Sequence, residues 1–204
     1  GEANGGVDTS ATPNTLTFHV NSVNDAPTAT SKPLALNEDS PYTFAESDFG
    51  FADAKDSPAN TLSSVIISTL PTAGTLKLNG VTVTKDQAIA VADISKLVYT
   101  PAANAYGDNH ATIGFKLKDN GGTANGGVDT SAEASFTINV ASVNDAPTGA
   151  NKTFTVNEDS STTLTVANFG FADASDTTPN ALKNVIITTL PSAGTLTLDG
   201  AAVT

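Results

Sequence analysis

The chain has 204 residues, of which 39% are hydrophobic, so packed cores are possible. It contains 21 acidic residues against nine lysines, with no arginine and no cysteine. The absence of cysteine excludes disulfide bonds and thiolate metal sites, and the negative potential argues against nucleic acid as a partner. No apolar run is long enough to insert into a membrane.

An internal repeat organises the whole sequence. The block GGVDTS at residues 5–10 returns at 126–131, and VNDAPT at residues 23–28 returns at 143–148. Residues 25–84 match residues 145–204 at 33 of 60 positions without a gap, which indicates duplication. A period of about 120 residues is the size of a self-sufficient domain. We therefore expect residues 1–24 to be the tail of one module, 25–144 a complete module, and 145–204 the first half of a third.

Within the complete module, short segments rich in β-branched and aromatic residues alternate with Gly, Pro, Asn and Asp, in the manner of strands and turns. The predicted strands, in chain order, are Tyr42–Ala45, Ser64–Thr69, Thr75–Leu78, Val81–Thr84, Lys96–Thr100, Thr112–Leu117 and Ala134–Val140. About seven strands per module predict an all-β fold of tandem, immunoglobulin-like β-sandwich modules of about 120 residues.

Two turns and one strand give sharper predictions. Asn79-Gly80 predicts a type I′ hairpin, and Asp199-Gly200 repeats it. The strict alternation of FTINV at residues 136–140 predicts one buried and one wet strand face. Residues 145–204 carry only half of a sandwich, so we expect their apolar face to be covered by downstream sequence or by another chain.

Acidic and amide side chains recur at matching positions in the repeats. They lie in an Asn-Glu-Asp motif, in the run F-x-F-A-D-A-x-D with a following Asn, and at the Asn-Asp pair of each module boundary. Any one of them alone is a typical turn former. However, Asp53 and Asp56 are kept in the second copy while the neighbouring Lys55 becomes Ser175. Carboxylates, amides and Gly-rich backbone together are the ligands of a hard cation, and calcium is the natural candidate.

The order of these motifs, ending in Val-Asn-Asp-Ala-Pro, resembles cadherin-like tandem repeats of large bacterial secreted adhesins of the RTX type, and the segment LVYTPAANAYG at residues 97–107 resembles that branch too. The resemblance implies calcium at the junctions between modules. It implies one ligand set of Asn24, Asp25, Asp53, Asp56, Asn60 and Asp119. It implies a second set of Glu38, Asn144, Asp145, Asp173, Asp176 and Asn180, with Glu158 as the third module's copy of Glu38.

The expected function is a non-catalytic, calcium-rigidified extender of a bacterial adhesin, acting in adhesion or biofilm formation outside the cell or on its surface. Its partners would be the adjacent modules of the same chain. Catalysis is disfavoured because His19 and His110 occupy unrelated positions and no nucleophile motif is present. Two alternatives stay open: a filament subunit that joins like chains through the half module, and a β-sandwich module that binds a carbohydrate or a protein, for which Tyr106 is the one aromatic candidate.

Overall fold

The computed structural model describes residues 1–204, and its regular structure is almost entirely β. The strands are β1 (Lys32–Asn37), β2 (Tyr42–Thr43), β3 (Leu62–Thr69), β4 (Thr75–Leu78), β5 (Val81–Thr82), β6 (Gln87–Ala90), β7 (Leu97–Thr100), β8 (Gly107–Asp119), β9 (Ala134–Ala141), β10 (Thr197–Leu198) and β11 (Ala201–Ala202). The helical segments are all short 3₁₀ turns, at Ala3–Gly5, Glu46–Phe49, Val91–Lys96, Ala124–Gly126 and Val166–Phe169. None of them has the length and apolar character needed to cross a bilayer. The all-β class is confirmed.

Nine of the strands form two sheets within Lys32–Ala141. The five-stranded sheet has the order β1-β9-β8-β3-β6, and the four-stranded sheet has the order β2-β7-β4-β5. All pairings are antiparallel except β1 with β9, which is parallel. Strand β1 is an edge strand, which explains how it tolerates Pro33, a residue with no backbone N–H to donate.

The sequence missed two strands, predicted β3 and β8 too short, and predicted β2 and β5 too long. Strand β1 contains proline and strand β6 is rich in alanine, so neither has the composition typical of strands. Strand β8 begins at Gly107, earlier than the predicted Thr112, because its first residues are polar and its register with β9 is irregular there. Strand β4 has the predicted bounds.

The turn predictions are confirmed, and the alternation prediction is confirmed for the buried face of β9. Asn79 and Gly80 have φ angles of 48° and 80°, and Asp199 and Gly200 have 51° and 82°, so both hairpins turn through two left-handed residues. In β9, the side chains of Phe136, Ile138 and Val140 are buried, and those between them are half-buried. One face of this strand therefore belongs to the core.

A single core draws side chains from both sheets. Its 20 buried apolar residues all lie between Leu34 and Val140. Phe115 and Phe136, on neighbouring strands β8 and β9, stack with ring centroids 4.6 Å apart, and Phe49 packs edge-on against Phe115 at 5.1 Å. The large buried aromatics hold the two sheets together through dispersion and removal of apolar area from water.

The segments flanking this core contribute none of its 20 buried apolar residues. Residues 145–204 form the β10–β11 hairpin, one 3₁₀ turn and an isolated bridge, and several of their apolar side chains face solvent. Val156 is 53% exposed, Val166 66% and Ile186 83%. In the N-terminal segment Leu16 and Phe18 are 84% and 83% exposed. What covers these residues stays a prediction.

Candidate functional site

The loop that carries the paired aspartates has the same local structure in both repeats. A 3₁₀ turn ends at Gly50 in the first copy and at Gly170 in the second, each with a left-handed φ close to 60°. An isolated antiparallel bridge then joins Thr28 to Ala52, and Thr148 to Ala172. The bridge fixes the aspartate that follows each alanine beside the module boundary, so the position of this carboxylate is set by backbone contacts.

In the first copy, five residues meet in one hydrogen-bonded cluster. The backbone N–H of Asn60 donates to Asp53 Oδ2 at 2.6 Å, and its side-chain amide donates to Asn24 Oδ1 at 2.5 Å and to Asp56 Oδ2 at 3.2 Å. The backbone N–H of Asp25 donates to Asp56 Oδ2 at 3.1 Å. We call these residues the first cluster.

The second copy repeats this network bond for bond. The backbone N–H of Asn180 donates to Asp173 Oδ2 at 2.7 Å, and its side-chain amide donates to Asn144 Oδ1 at 2.7 Å and to Asp176 Oδ2 at 2.9 Å. The backbone N–H of Asp145 donates to Asp176 Oδ1 at 2.8 Å. We call these residues the second cluster. In both repeats the network joins residues that are 31 and 36 positions apart in sequence. Residues that only formed local turns would not need these distant partners.

Asp119, at the end of β8, closes one side of the first cluster. Its carboxylate is 1% exposed and accepts hydrogen bonds from the side-chain amide of Asn24 at 3.2 Å and from the backbone N–H of Gly121 at 2.8 Å. Gly121 lies so close to the Asn24 side chain that a Cβ there would collide with it. The glycine is therefore required by the close approach of this loop to the cluster.

The second cluster has no counterpart of Asp119 within the chain. A surface cavity of about 290 Å³ opens on it, lined by Asn144, Asp145, Asp173 and Asn180 among others. On its other side lies Glu38, which projects from the end of strand β1 of the complete module. The Glu38 carboxylate is 2% exposed, and its Oε1 accepts a hydrogen bond from the backbone N–H of Val143 at 2.7 Å.

The second cluster concentrates negative charge and forms no ion pair, although Lys183 also lines its cavity. Burial, followed by the charges of neighbouring carboxylates, raises the pKa of Asp145, and the contributing groups are Asp39, Glu38, Asp176 and Asp173. The three ion pairs of the chain, Lys32–Asp48, Lys96–Asp93 and Lys118–Asp129, involve none of these groups. Like charges held this close disfavour ionisation unless something positive joins them.

Several carboxylate oxygens of the clusters are buried and have no hydrogen-bond partner. They are Asp53 Oδ1 in the first cluster, and Asp173 Oδ1, Asp145 Oδ2 and Glu38 Oε2 at the second. In both copies one oxygen of the leading aspartate is tied to a backbone N–H and the other is left free. A buried charged oxygen without a partner is costly, so these atoms are free to accept a hydrogen bond or to coordinate a cation.

No protein-family model, curated protein or solved structure matches the chain. The chemistry of the clusters therefore has to be judged from their own geometry.

The available donors are carboxylate, amide and backbone oxygens, which are the ligands of a hard divalent cation. No group of three or more His, Cys, Asp or Glu side chains is placed to hold a metal by itself. A cation would therefore need amide or backbone oxygens, or a small adjustment of the carboxylates. The unpartnered buried oxygens fit that requirement.

The structure distributes the predicted ligands unevenly. Five predicted ligands meet through their side chains at the first cluster: Asn24, Asp53, Asp56, Asn60 and Asp119. Asp25 joins this cluster through its backbone N–H, and its own side chain is exposed. The second boundary brings together the six ligands predicted for it: Glu38, Asn144, Asp145, Asp173, Asp176 and Asn180. Glu158 is exposed and joins neither cluster. Asp39 was not among the predicted ligands, although its charge acts on Asp145.

Proposed function

We propose that this chain is a non-catalytic extender segment of a large bacterial surface adhesin, built from tandem cadherin-like β-sandwich modules that bind Ca²⁺ at their junctions. The observation that carries the proposal is the twofold occurrence of one acid and amide network, each time at a module boundary. The participation of Glu38 from the complete module at the second boundary supports a site shared between modules.

The residues that would hold Ca²⁺ are those with free, buried oxygens together with the amides beside them. At the second junction these are Glu38, Asp145 and Asp173, with Asp176, Asn144 and Asn180 as neighbours. At the first junction Asp53 has the free oxygen, and its neighbours are Asn24, Asp25, Asp56, Asn60 and Asp119. Bound Ca²⁺ supplies the positive charge that these carboxylates lack.

The mechanical consequence follows from electrostatics. Without a cation, the carboxylates at a junction repel one another and the link between modules bends freely. With Ca²⁺ bound, residues of both modules share one ion, and the pair becomes a rigid unit. Extracellular calcium modules bind with dissociation constants of about 10⁻⁴–10⁻³ M, which places such a device outside the cell, where calcium is millimolar.

A distance measurement across the second junction tests the proposal. The chain has no cysteine, so the exposed residues Thr82 and Ser192 can be replaced as Thr82→Cys and Ser192→Cys and spin-labelled. Pulsed electron double resonance should give a broad distance distribution in EDTA that narrows in millimolar Ca²⁺. The Asp173→Asn and Asp176→Asn double variant should stay broad in both conditions. Equal widths for the parent chain with and without Ca²⁺ would reject the proposal.

The exposed apolar side chains of residues 145–204 favour a second candidate, a filament subunit that joins like chains through this half module. Val166 and Ile186, at 66% and 83% exposure, are examples of the surface that such a contact would cover. Light scattering as a function of protein concentration distinguishes the two candidates. A filament subunit grows in mass with concentration, whereas an extender segment stays monomeric.

A further inference from the structure

A second contact crosses the boundary between the complete module and the segment that follows, outside the acid and amide network. Asn104 lies in the loop between β7 and β8. Its side-chain amide donates a hydrogen bond to Ser175 Oγ at 2.8 Å, and its backbone N–H donates one to Asp39 Oδ1 at 3.2 Å. One residue thus connects Ser175, in the aspartate loop of the second copy, to a carboxylate of the complete module.

Ser175 therefore lies at the edge of the negative cluster. Its neighbour Asp176 is a member of the second cluster, and Asp39, two hydrogen bonds away, adds to the charge felt by Asp145. The three lysines engaged in ion pairs bind other carboxylates. The side chain at position 175 is thus close enough to the cluster for its charge to matter.

The first copy carries a lysine at the matching position. The loops align as Ala52-Asp53-Ala54-Lys55-Asp56 and Ala172-Asp173-Ala174-Ser175-Asp176. The bridges and hydrogen bonds that hold the two loops are the same, so Lys55 occupies the position of Ser175. Lys55 is exposed and takes part in no ion pair. Its ammonium group is thus not engaged by any carboxylate of this chain.

We infer that the residue at this position, Ser175 in one repeat and Lys55 in the other, sets the Ca²⁺ affinity of its junction, and that successive junctions of the repeat differ for this reason. The inference rests on the proposed function. A serine adds no positive charge to the cluster, so Lys183 is the only cation that lines its cavity. A lysine brings a tethered positive charge that neutralises part of the cluster and opposes the entry of a second cation.

The physical basis is competition between one fixed and one soluble cation. An ammonium near Asp39 lowers the repulsion among the carboxylates when Ca²⁺ is absent, so the ion-free junction becomes more rigid. The same ammonium repels Ca²⁺ when the ion binds, so affinity falls. Exposed charge pairs act weakly, and we expect Ser175→Lys to weaken Ca²⁺ binding about threefold to tenfold.

The experiment uses the full chain with spin labels at Thr82→Cys and Ser192→Cys, titrated with CaCl₂ at low ionic strength. The measured quantity is the CaCl₂ concentration at which half of the narrowing of the distance distribution has occurred. This midpoint is compared among the parent, Ser175→Lys and Ser175→Gln. Glutamine is long and uncharged, and thus controls for size. Ser175→Arg is the second charged variant, and circular dichroism verifies that each variant keeps its sheets.

The outcomes separate the two proposals. The inference is supported if the Ca²⁺ midpoint rises in Ser175→Lys and Ser175→Arg but not in Ser175→Gln. This rise should be smaller in 1 M NaCl, where the screening length is about 3 Å. A parent chain that responds to Ca²⁺ while lysine and glutamine variants share one midpoint overturns the inference and leaves the proposed function intact. A parent chain with no Ca²⁺ response rejects the proposed function itself.

Discussion

Glu38 and Val143, separated by 105 residues in sequence, are joined by a hydrogen bond from the Val143 backbone N–H to Glu38 Oε1 at 2.7 Å. The bond links the end of strand β1 to the linker that follows strand β9, its parallel neighbour. The second oxygen of this carboxylate is buried and has no partner. Glu38 is thus a positioned carboxylate at the module boundary rather than a mobile surface charge.

Replacement of Glu38 by glutamine should separate the structural from the electrostatic contribution of this residue. Glu38→Gln keeps an oxygen that can accept the Val143 N–H but removes the negative charge. We expect the Ca²⁺ midpoint of the second junction to rise about tenfold, because calcium affinity depends on the number of charged ligands. In EDTA the melting temperature should stay the same or rise, because one source of repulsion on Asp145 is gone.

Glu158→Gln is the matched control for this experiment, because Glu158 holds the same place in the next repeat but is exposed and joins no cluster. It should leave the midpoint unchanged. Equal shifts for both variants would mean that general surface charge, and not a placed ligand, governs the response.

The sequence predicted the parts of the site that lie close together along the chain. The repeat identified both aspartate loops and the asparagines that follow them, because duplication preserves a motif even where single residues are ambiguous. The relationship of Asn104 to Asp39 and Ser175 was not predictable, because it joins three loops whose approach depends on the complete fold. The effect of Asp39 on Asp145 was missed for the same reason.

The fold was predictable where local rules dominate and less so at the sheet edges. The Asn79-Gly80 turn dictates its hairpin, and the alternation in β9 dictates its buried face. Strand β1 is specified by tertiary context, because it contains Pro33 and is recruited through parallel pairing with β9. No local sequence pattern predicts such a strand.

Gly121→Ala should destabilise the complete module. A Cβ at this position would collide with the side chain of Asn24, which in turn contacts Asp119 and Asn60. We expect a loss of about 1–3 kcal/mol in the free energy of unfolding, as for other overpacked sites, measured by urea denaturation. Gly149→Ala is the control, because its added Cβ would make only an ordinary contact at 3.4 Å and the first repeat has Ala29 there. Equal stability of the two variants would contradict the packing described for the first cluster.

Leu34 and Phe154 occupy matching positions of two repeats but differ in burial, at 5% and 42% exposed. Leu34→Ala should lower the unfolding free energy of the complete module by about 2–5 kcal/mol, because it leaves a cavity in the core. Phe154→Ala should change that free energy by less than about 0.5 kcal/mol, as expected for a surface position. Urea denaturation followed by circular dichroism measures both. A large effect of Phe154→Ala would mean that residues 145–204 pack against a covering partner in solution.

Tyr42 and Asp48 couple the stability of the complete module to alkaline pH. Burial, a hydrogen bond from the Tyr42 hydroxyl to Asp48 Oδ2 at 3.0 Å, and the charge of Asp48 raise the pKa of Tyr42 from 10.0 to about 12. The folded state thus holds the phenol proton more tightly than the unfolded state. The stability that this provides is complete below pH 10 and is lost as the pH rises towards about 12.

Urea denaturation at a series of pH values should therefore show that the parent chain loses more stability between about pH 10 and about pH 12 than Tyr42→Phe does. Asp48→Asn should lose less stability over this pH range than the parent chain does, because it removes the charge beside the Tyr42 hydroxyl. This substitution removes the ion pair with Lys32 but keeps the cap of the 3₁₀ turn. Asn168 caps the corresponding turn by accepting the Thr165 N–H at 2.6 Å, as Asp48 accepts the Ala45 N–H at 2.9 Å. Identical alkaline losses for the parent and Tyr42→Phe would show that the hydroxyl is not held by Asp48 in solution.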